Sequence, residues 1–149
     1  MSEVGDALYQ KALIEKAREA RSAPRLDDAD VTLRLDNPLC GDRVELDLKL
    51  ANGHVGAIGH KVRGCALCQA AAVILAERAP GKPPEAVHAV LERVRAYLAE
   101  GRDLDLPDWP ELELFLPVRP ARSRHRCVTL PFEALVQALD RMDQRQDAD

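Results

Sequence analysis

Three cysteines and one aspartate stand at the junctions between predicted secondary-structure elements. Cys40 and Asp42 lie in the segment NPLCGD, where proline and glycine predict an exposed turn between two strands. Cys65 opens a strongly apolar predicted helix, where unpaired backbone N–H groups and the helix dipole stabilise a thiolate. Cys127 ends a basic run just before the last predicted helix. Both metal binding and nucleophilic attack need thiolates, so these residues are the candidates for chemistry.

The four side chains form a metal-ligand set only if the fold brings them together. Three thiolates and one carboxylate suit tetrahedral zinc and also suit an iron-sulfur cluster. Because a carboxylate is a harder and weaker ligand than a thiolate, such a site exchanges ligands more readily than one with four cysteines. The alternative is that each cysteine is a small core residue, the usual fate of a free cysteine. Sequence spacing alone leaves these alternatives open.

The pattern of apolar residues predicts the elements that position these side chains. Residues 5–21 form an amphipathic helix with apolar positions 8, 9, 12, 13 and 17. Period-two alternation predicts a strand at 31–35 and a hairpin of strands at 44–50 and 54–62 joined by Asn52-Gly53. Further helices are predicted at 65–78, from Pro83-Pro84 to Gly101, and from Pro131 to a polar tail at 144–149. We therefore expect an α+β fold, a three-stranded antiparallel sheet with the helices on one face.

Other parts of the chain carry no clear signal for chemistry. Residues 102–120 are acidic and contain prolines, which predicts a loop or short turns outside the core. His60 is predicted to lie on the surface of a strand. His125 is two residues from Cys127 and is predicted to face away from it.

Length and composition exclude several classes of protein. With 149 residues and 46% hydrophobic side chains, the chain has the size and core of a single domain. A net charge of -4 and 3% aromatic residues disfavour general nucleic-acid binding. The longest apolar run, residues 70–76, is far shorter than the roughly 20 residues that cross a bilayer. The acidic start does not resemble a signal peptide, so we expect a soluble, cytoplasmic protein with reduced thiols.

Together the three cysteine motifs resemble those of the IscU/SufU (NifU N-terminal) family of iron-sulfur assembly proteins. They are NPLCGD around Cys40, GCAL around Cys65 and RHRCVTLPF around Cys127. The resemblance spans about residues 7–141. The interval of 62 positions from Cys65 to Cys127 is similar to the SufU branch, with residues 102–120 as the insertion. Arg124 and Arg126 also match that branch, since IscU scaffolds have a histidine before the last cysteine and a Leu-Pro-Pro-Val-Lys motif upstream.

The resemblance implies an α+β fold and a zinc-dependent sulfurtransferase. In that interpretation zinc is held by the residues matching Cys40, Asp42, Cys65 and Cys127. A pyridoxal-phosphate cysteine desulfurase of the SufS type passes persulfide sulfur to the thiol matching Cys40, which supplies downstream iron-sulfur assembly proteins. No membrane or nucleic-acid partner is expected.

Two other functions and three auxiliary residues stay open. The protein is alternatively a scaffold carrying a transient iron-sulfur cluster, against which the missing chaperone motif counts, or a noncatalytic zinc-stabilised binding domain. Cys68 stands where the family usually has a small hydroxyl residue. It is interpreted as a buried small residue, with an extra ligand or a resolving thiol as alternatives. Arg124 and Arg126 either stabilise the thiolates, contact an acidic partner, or belong to a solvated basic loop.

Overall fold

The computed structural model describes the backbone of residues 3–148 and the side chains of residues 8–145. It confirms the predicted α+β arrangement. Short 3-10 helices lie at Glu19–Ser22, Pro110–Val118 and Arg122–Arg124. The longer elements are α1 (Glu3–Arg18), β1 (Val31–Asn37), β2 (Asp42–Ala51), β3 (His54–Arg63), α2 (Ala66–Arg78), α3 (Pro84–Ala99) and α4 (His125–Ala148).

The three strands form an antiparallel meander in the order β1-β2-β3. The register runs from Val31 opposite Leu48 to Asn37 opposite Asp42, so only residues 38–41 connect β1 to β2. The N–H of Gly41 donates to the Asn37 carbonyl over 2.8 Å and closes this turn. The β2–β3 hairpin turns at Asn52-Gly53, as predicted. The φ angles there are 55° and 79°, in the left-handed region that asparagine and glycine adopt with little strain.

The two faces of the sheet have different surroundings. The inner face is buried under α2 and α4, and Val44, Leu46 and Leu48 belong to the core. The outer face is polar, but the linker after α1 crosses part of it. Arg25 and the backbone of Leu26 hydrogen-bond to Asp47, which is buried on that face. The linker therefore covers the middle of an otherwise exposed surface.

His60 is buried rather than exposed, so the prediction for this residue was wrong. It lies opposite Leu46 in the strand register and shares the inner face with that residue. Its side chain is 3% exposed, and its Nδ1 has no hydrogen-bond partner in the described part of the chain. Burial is the main cause that lowers the pKa of His60, which favours the neutral ring. Because several residues of β3 are glycine or alanine, the sequence lacks the apolar–polar alternation that would have predicted His60 on the inner face.

Helix α1 contacts α2 along only part of its predicted apolar face. Leu13 and Ala17 are buried, but Leu8, which was expected on the same face, is largely exposed. Lys16 extends from this helix to Glu77 at 2.8 Å. Of the five predicted apolar positions only Leu13 and Ala17 are buried, so the described side chains of α1 contribute little to the core.

The segment 102–120 is part of the core, which corrects the expectation of a loop outside it. Trp109, Leu112 and Phe115 are at most 2% exposed. The ring of Trp109 packs against that of Phe132 in α4, with centroids 5.9 Å apart. Exposed ion pairs from Arg78 to Glu111 and from Lys82 to Asp108 hold the segment to the end of α2. Prolines and acidic residues concealed an apolar face that forms only in a 3-10 helix.

Helix α4 begins at His125, six residues before the predicted start at Pro131. A proline inside a helix removes the hydrogen bond to the carbonyl four residues earlier, here that of Cys127. The turn persists because Val128, Leu130 and Phe132 are fully buried, and their burial outweighs the lost bond. At the other end the predicted polar tail is helical as far as Ala148. The consequence for the site is that Cys127 lies inside the first turns of a helix.

Candidate metal centre

Three of the four predicted ligands meet at one end of the sheet. Cys40 comes from the turn between β1 and β2, Asp42 is the first residue of β2, and Cys127 comes from α4. Their ligand atoms all lie within 4.8 Å of one another. The Cys127 thiol is 3.3 Å from the Cys40 sulfur. Cys40 alone of the three is exposed, and its Sγ lies 3.7 Å from the Ser123 carbonyl.

Asp42 is a buried carboxylate that accepts a hydrogen bond at only one of its two oxygens in the described structure. Its Oδ1 accepts the backbone N–H of Cys65 at 3.0 Å. Its Oδ2 is buried and has no hydrogen-bond partner among the described residues. Burying an unpaired carboxylate oxygen is costly unless a cation completes it. The free oxygen and the adjacent thiols fit a divalent metal ion such as zinc.

Cys65 caps the N-terminus of α2, as predicted, and borders the group of three. Its backbone N–H donates a hydrogen bond to Asp42, and its thiol is close enough to affect the pKa of Cys127. Burial is the largest of the causes that raise the pKa of the Cys127 thiol, followed by the closeness of the Asp42 carboxylate and the Cys40 sulfur and by the charge of Cys65. Without a cation these surroundings therefore favour the protonated form of the Cys127 thiol. A bound metal ion opposes this effect, since metal ligation needs the thiolate.

Gly64 is a site residue that sequence reasoning did not single out. A Cβ at this position would collide with the Asp42 carboxylate. The glycine therefore allows the Gly64–Cys65 backbone to approach Asp42 and donate to it. The signal was present in the sequence, because a glycine directly precedes the cysteine at the opening of α2. Without the strand register, it was not possible to say which side chain needed that space.

Cys68 lies near the group of three but outside it. Its thiol is fully buried, as expected for a small core residue. Burial is again the largest of the causes that raise its pKa, followed by the charges of Asp42 and Cys65. Its sulfur is not one of the ligand atoms that lie within 4.8 Å of one another, which sets it apart from the similarly buried Cys127.

The basic residues before Cys127 point in different directions. Arg126 lies 3.5 Å from Glu133 in the same helix. Arg124 is exposed and makes no ion pair with the described residues. The Nε2 atom of His125 is 2.9 Å from the Arg119 carbonyl, which confirms that this ring faces away from the thiols. The guanidinium of Arg119 in turn bonds the Tyr97 carbonyl at 2.7 Å, so the segment 102–120 braces the start of α4.

Over the residues that the structure describes, no helix has both the length and the apolar composition needed to span a bilayer.

The fold and site together define a small α+β domain with a cysteine and aspartate group at one end of its sheet. The sequence profile of the NifU-like N-terminal domain matches residues 8–109, so the chain belongs to that family. The SufU branch is not distinguished from the IscU branch by these comparisons, because both are represented at similar identity.

Individual relatives agree with this assignment. An iron-sulfur cluster assembly scaffold protein IscU of Thermotoga maritima is 27% identical over 91% of this chain and 94% of its own. A zinc-dependent sulfurtransferase SufU of Bacillus subtilis is 26% identical over 87% of this chain and 88% of its own. The crystal structure of a nitrogen-fixing NifU-like protein (N-terminal) from Brucella abortus superposes with a TM-score of 0.86 at 26% identity. That comparison covers 96% of this chain and 99% of the other.

Proposed function

We propose that this protein is a zinc-dependent sulfur acceptor in iron-sulfur cluster assembly, taking sulfur from a pyridoxal-phosphate cysteine desulfurase of the SufS type. The observation that carries the proposal is the contrast within the site: an exposed Cys40 thiol lies beside a buried Asp42 oxygen that has no partner in the described structure. The name of the IscU relative supports iron-sulfur cluster assembly as the setting, and the name of the SufU relative supports zinc-dependent sulfur transfer.

Cys40, Asp42, Cys65 and Cys127 would hold the zinc ion. When bound, zinc would supply the positive charge that keeps the buried thiols deprotonated. Its ligands would then link the turn between β1 and β2 to α2 and α4. The protein's own residues fix the other features of the site. The Cys65 N–H orients Asp42, and burial keeps the Cys127 sulfur away from solvent. Cys40 is exposed, whereas Cys65 is half-buried and Asp42 and Cys127 are buried, so Cys40 is the ligand that a partner reaches most readily.

The proposed transfer is a thiol–persulfide exchange at Cys40. Its thiolate attacks the terminal sulfur of the desulfurase persulfide, and a new S–S bond forms on Cys40 as the old S–S bond breaks. The desulfurase cysteine leaves as a thiolate and takes up a proton, so no external oxidant or reductant is needed. Asp42, Cys65 and Cys127 stay in place, which preserves the site for the next cycle.

The experiment is cysteine-dependent alanine formation by a SufS-like desulfurase with and without this protein. We expect the zinc-loaded wild type to raise the rate severalfold and Cys40→Ala to abolish the increase. Cys68→Ala is the matched control, since it removes a buried thiol outside the group of three, and it should retain the stimulation. Mass spectrometry should find one added sulfur on wild type and none on Cys40→Ala. Absence of stimulation by folded, zinc-loaded wild type rejects the proposal.

A scaffold role is the second candidate, because the Thermotoga maritima relative is named as a scaffold at about the same identity as the SufU relative. The two functions differ in what the site carries after sulfur arrives. Anaerobic incubation with iron, cysteine and desulfurase should leave a visible-absorbing cluster on a scaffold. A sulfur acceptor should keep its zinc and show no such absorption.

A further inference from the structure

The outer face of the sheet carries a group of basic side chains close to the Cys40 turn. In the strand register Arg43 lies directly opposite Arg63, and Glu45 is opposite Lys61. Lys61 and Arg63 are exposed, and Arg43 is half-buried. Like charges directly opposite each other in a sheet are destabilising. We call Arg43, Lys61 and Arg63 the cationic face.

The acidic residues nearby do not neutralise this face. Asp36 pairs with Arg43 at 2.9 Å. Glu45 pairs at 2.9 Å with Arg25 from the linker instead of with Lys61, which lies opposite it. Within the described part of the chain, Lys61 and Arg63 consequently make no ion pair. The linker therefore leaves two basic side chains uncompensated on the surface.

The cationic face is continuous with the site. A cavity of about 430 Å³ is lined by Pro38, Asp42, Arg43 and Arg63, among others, and joins the sheet face to the Cys40 turn. On the other side of Cys40 lies the 3-10 helix Arg122–Arg124, whose two arginines are exposed and whose Ser123 carbonyl contacts the thiol. Among the described residues, basic side chains without an ion pair therefore lie on two sides of Cys40, although the net charge of the chain is -4.

We propose that the cationic face docks an acidic surface of the cysteine desulfurase that delivers sulfur to Cys40. The inference rests on the proposed function and adds the chemistry of the partner surface. Charge complementarity favours this occupant, since opposite patches steer association and fix orientation without needing a large apolar area. A nucleic acid fits less well, because the chain as a whole is negative and the face carries no aromatic side chain for base stacking.

The test compares charge reversals in the full-length, zinc-loaded protein. Arg63→Glu and the double variant Lys61→Glu/Arg63→Glu alter the cationic face. Arg141→Glu is the matched control: it is exposed, makes no ion pair with the described residues, and lies about 21 Å along α4 from Cys127. The KM for this protein in desulfurase stimulation is measured at about 0.05 M and about 0.3 M salt. Zinc content and the thermal midpoint confirm that each variant is folded.

At low salt we expect Arg63→Glu to raise KM about fivefold and the double variant more than about tenfold, with kcat unchanged. The differences should shrink at high salt, and Arg141→Glu should match wild type. If wild type stimulates the enzyme but Arg63→Glu behaves like Arg141→Glu, the docking surface is wrong and the proposed function stands. If wild type neither binds nor stimulates the enzyme, both fall. Binding of a labelled single-stranded oligonucleotide that is lost in the double variant, with unchanged desulfurase kinetics, overturns the inference in favour of nucleic acid.

Discussion

Strand β2 buries two aspartates, Asp42 at its first position and Asp47 near its middle, and the two carboxylates differ in how they are satisfied. Asp42 and Asp47 are both 1% exposed. Asp47 accepts hydrogen bonds from Arg25 at 2.6 and 2.9 Å, from Thr32 at 2.7 Å and from the Leu26 N–H at 3.1 Å. Asp42 accepts one bond from the chain, and its second oxygen has no partner within the described residues.

The hydrogen bonds of Asp47 are therefore supplied by the protein itself, whereas in the described structure Asp42 keeps one oxygen free to bind a cation. The hydrogen bond from Arg25 is the largest of the causes that lower the pKa of Asp47 to about 2. Its charge is therefore compensated by the protein itself. Among the described residues Asp42 has no cationic partner of this kind, and it lies beside the Cys40 and Cys127 thiols. Substitutions at the two positions should consequently affect different properties of the molecule.

The largest expected effect is on zinc binding. Asp42→Ala should weaken zinc affinity by more than about 100-fold, since loss of even an outer-shell partner of a metal ligand costs 10- to 100-fold. Asp47→Ala should leave the affinity of the folded protein unchanged. Competition with a chromogenic chelator measures both. Equal affinities in wild type and Asp42→Ala would remove this carboxylate from the ligand set.

The second effect is on folding free energy without metal. Asp47→Ala should lower the free energy of unfolding by about 3 kcal/mol, because it removes a buried carboxylate that accepts hydrogen bonds from Arg25, Thr32 and the Leu26 N–H. Glu45→Ala is the control: it removes the exposed partner of the same arginine and should cost less than about 1 kcal/mol. Urea unfolding in the presence of a chelator gives these values. A similar loss for both variants would show that Asp47 contributes no more than a surface pair.

The third effect is on acid stability. The pKa of Asp47 is lowered from 3.8 to about 2 on folding, so its contribution is complete above pH 4 and is lost as the pH falls toward 2. The difference corresponds to about 2 kcal/mol. Asp47→Asn should lack this part of the acid transition when unfolding free energy is measured against pH. Parallel curves for wild type and variant would contradict the assignment.

The smallest effect concerns His60, which like Asp47 is away from the thiols. Its pKa is lowered by burial, so the unfolded chain binds a proton more readily than the folded chain. Stability should be complete above the ordinary pKa of 6.5 and decrease as the pH falls below it. His60→Leu should flatten the curve between pH 7 and 5 without changing zinc affinity. An unchanged slope would mean that the ring is hydrated in solution.

Local patterns were sufficient to predict much of the sheet and the opening of α2. Asn52-Gly53 specifies a hairpin through its own backbone preference, and the run after Cys65 is too apolar to be anything but buried. These predictions depend on neighbours in the chain, so no tertiary contact was needed to make them. The prediction for Asp42 was wrong, since it was expected in the exposed turn with Cys40 but is the first residue of β2 and is buried on the inner face with Val44.

The remaining features depend on contacts between distant residues. Cys40 and Cys127 are 87 positions apart, and their spacing contains no information on whether they touch. Asp47 looks like an exposed strand residue until the linker with Arg25 crosses it. Trp109 is buried because Phe132 of α4 lies against it, and His125 becomes helical because the residues after it are buried. The resemblance to the family supplied the candidate ligand set where the physical pattern could not.

The four-residue connection between β1 and β2 has a consequence for reach. Asn37 is paired with Asp42 and bonded to Gly41, so the turn is anchored at both ends. With at most about 3.5 Å per residue, the backbone of Cys40 travels no more than about 10 Å from Asn37 even when fully extended. Leu39 beside it is 88% exposed and already points away from the core. In the proposed transfer the persulfide must therefore be brought to this turn, because the turn is too short to extend toward the partner.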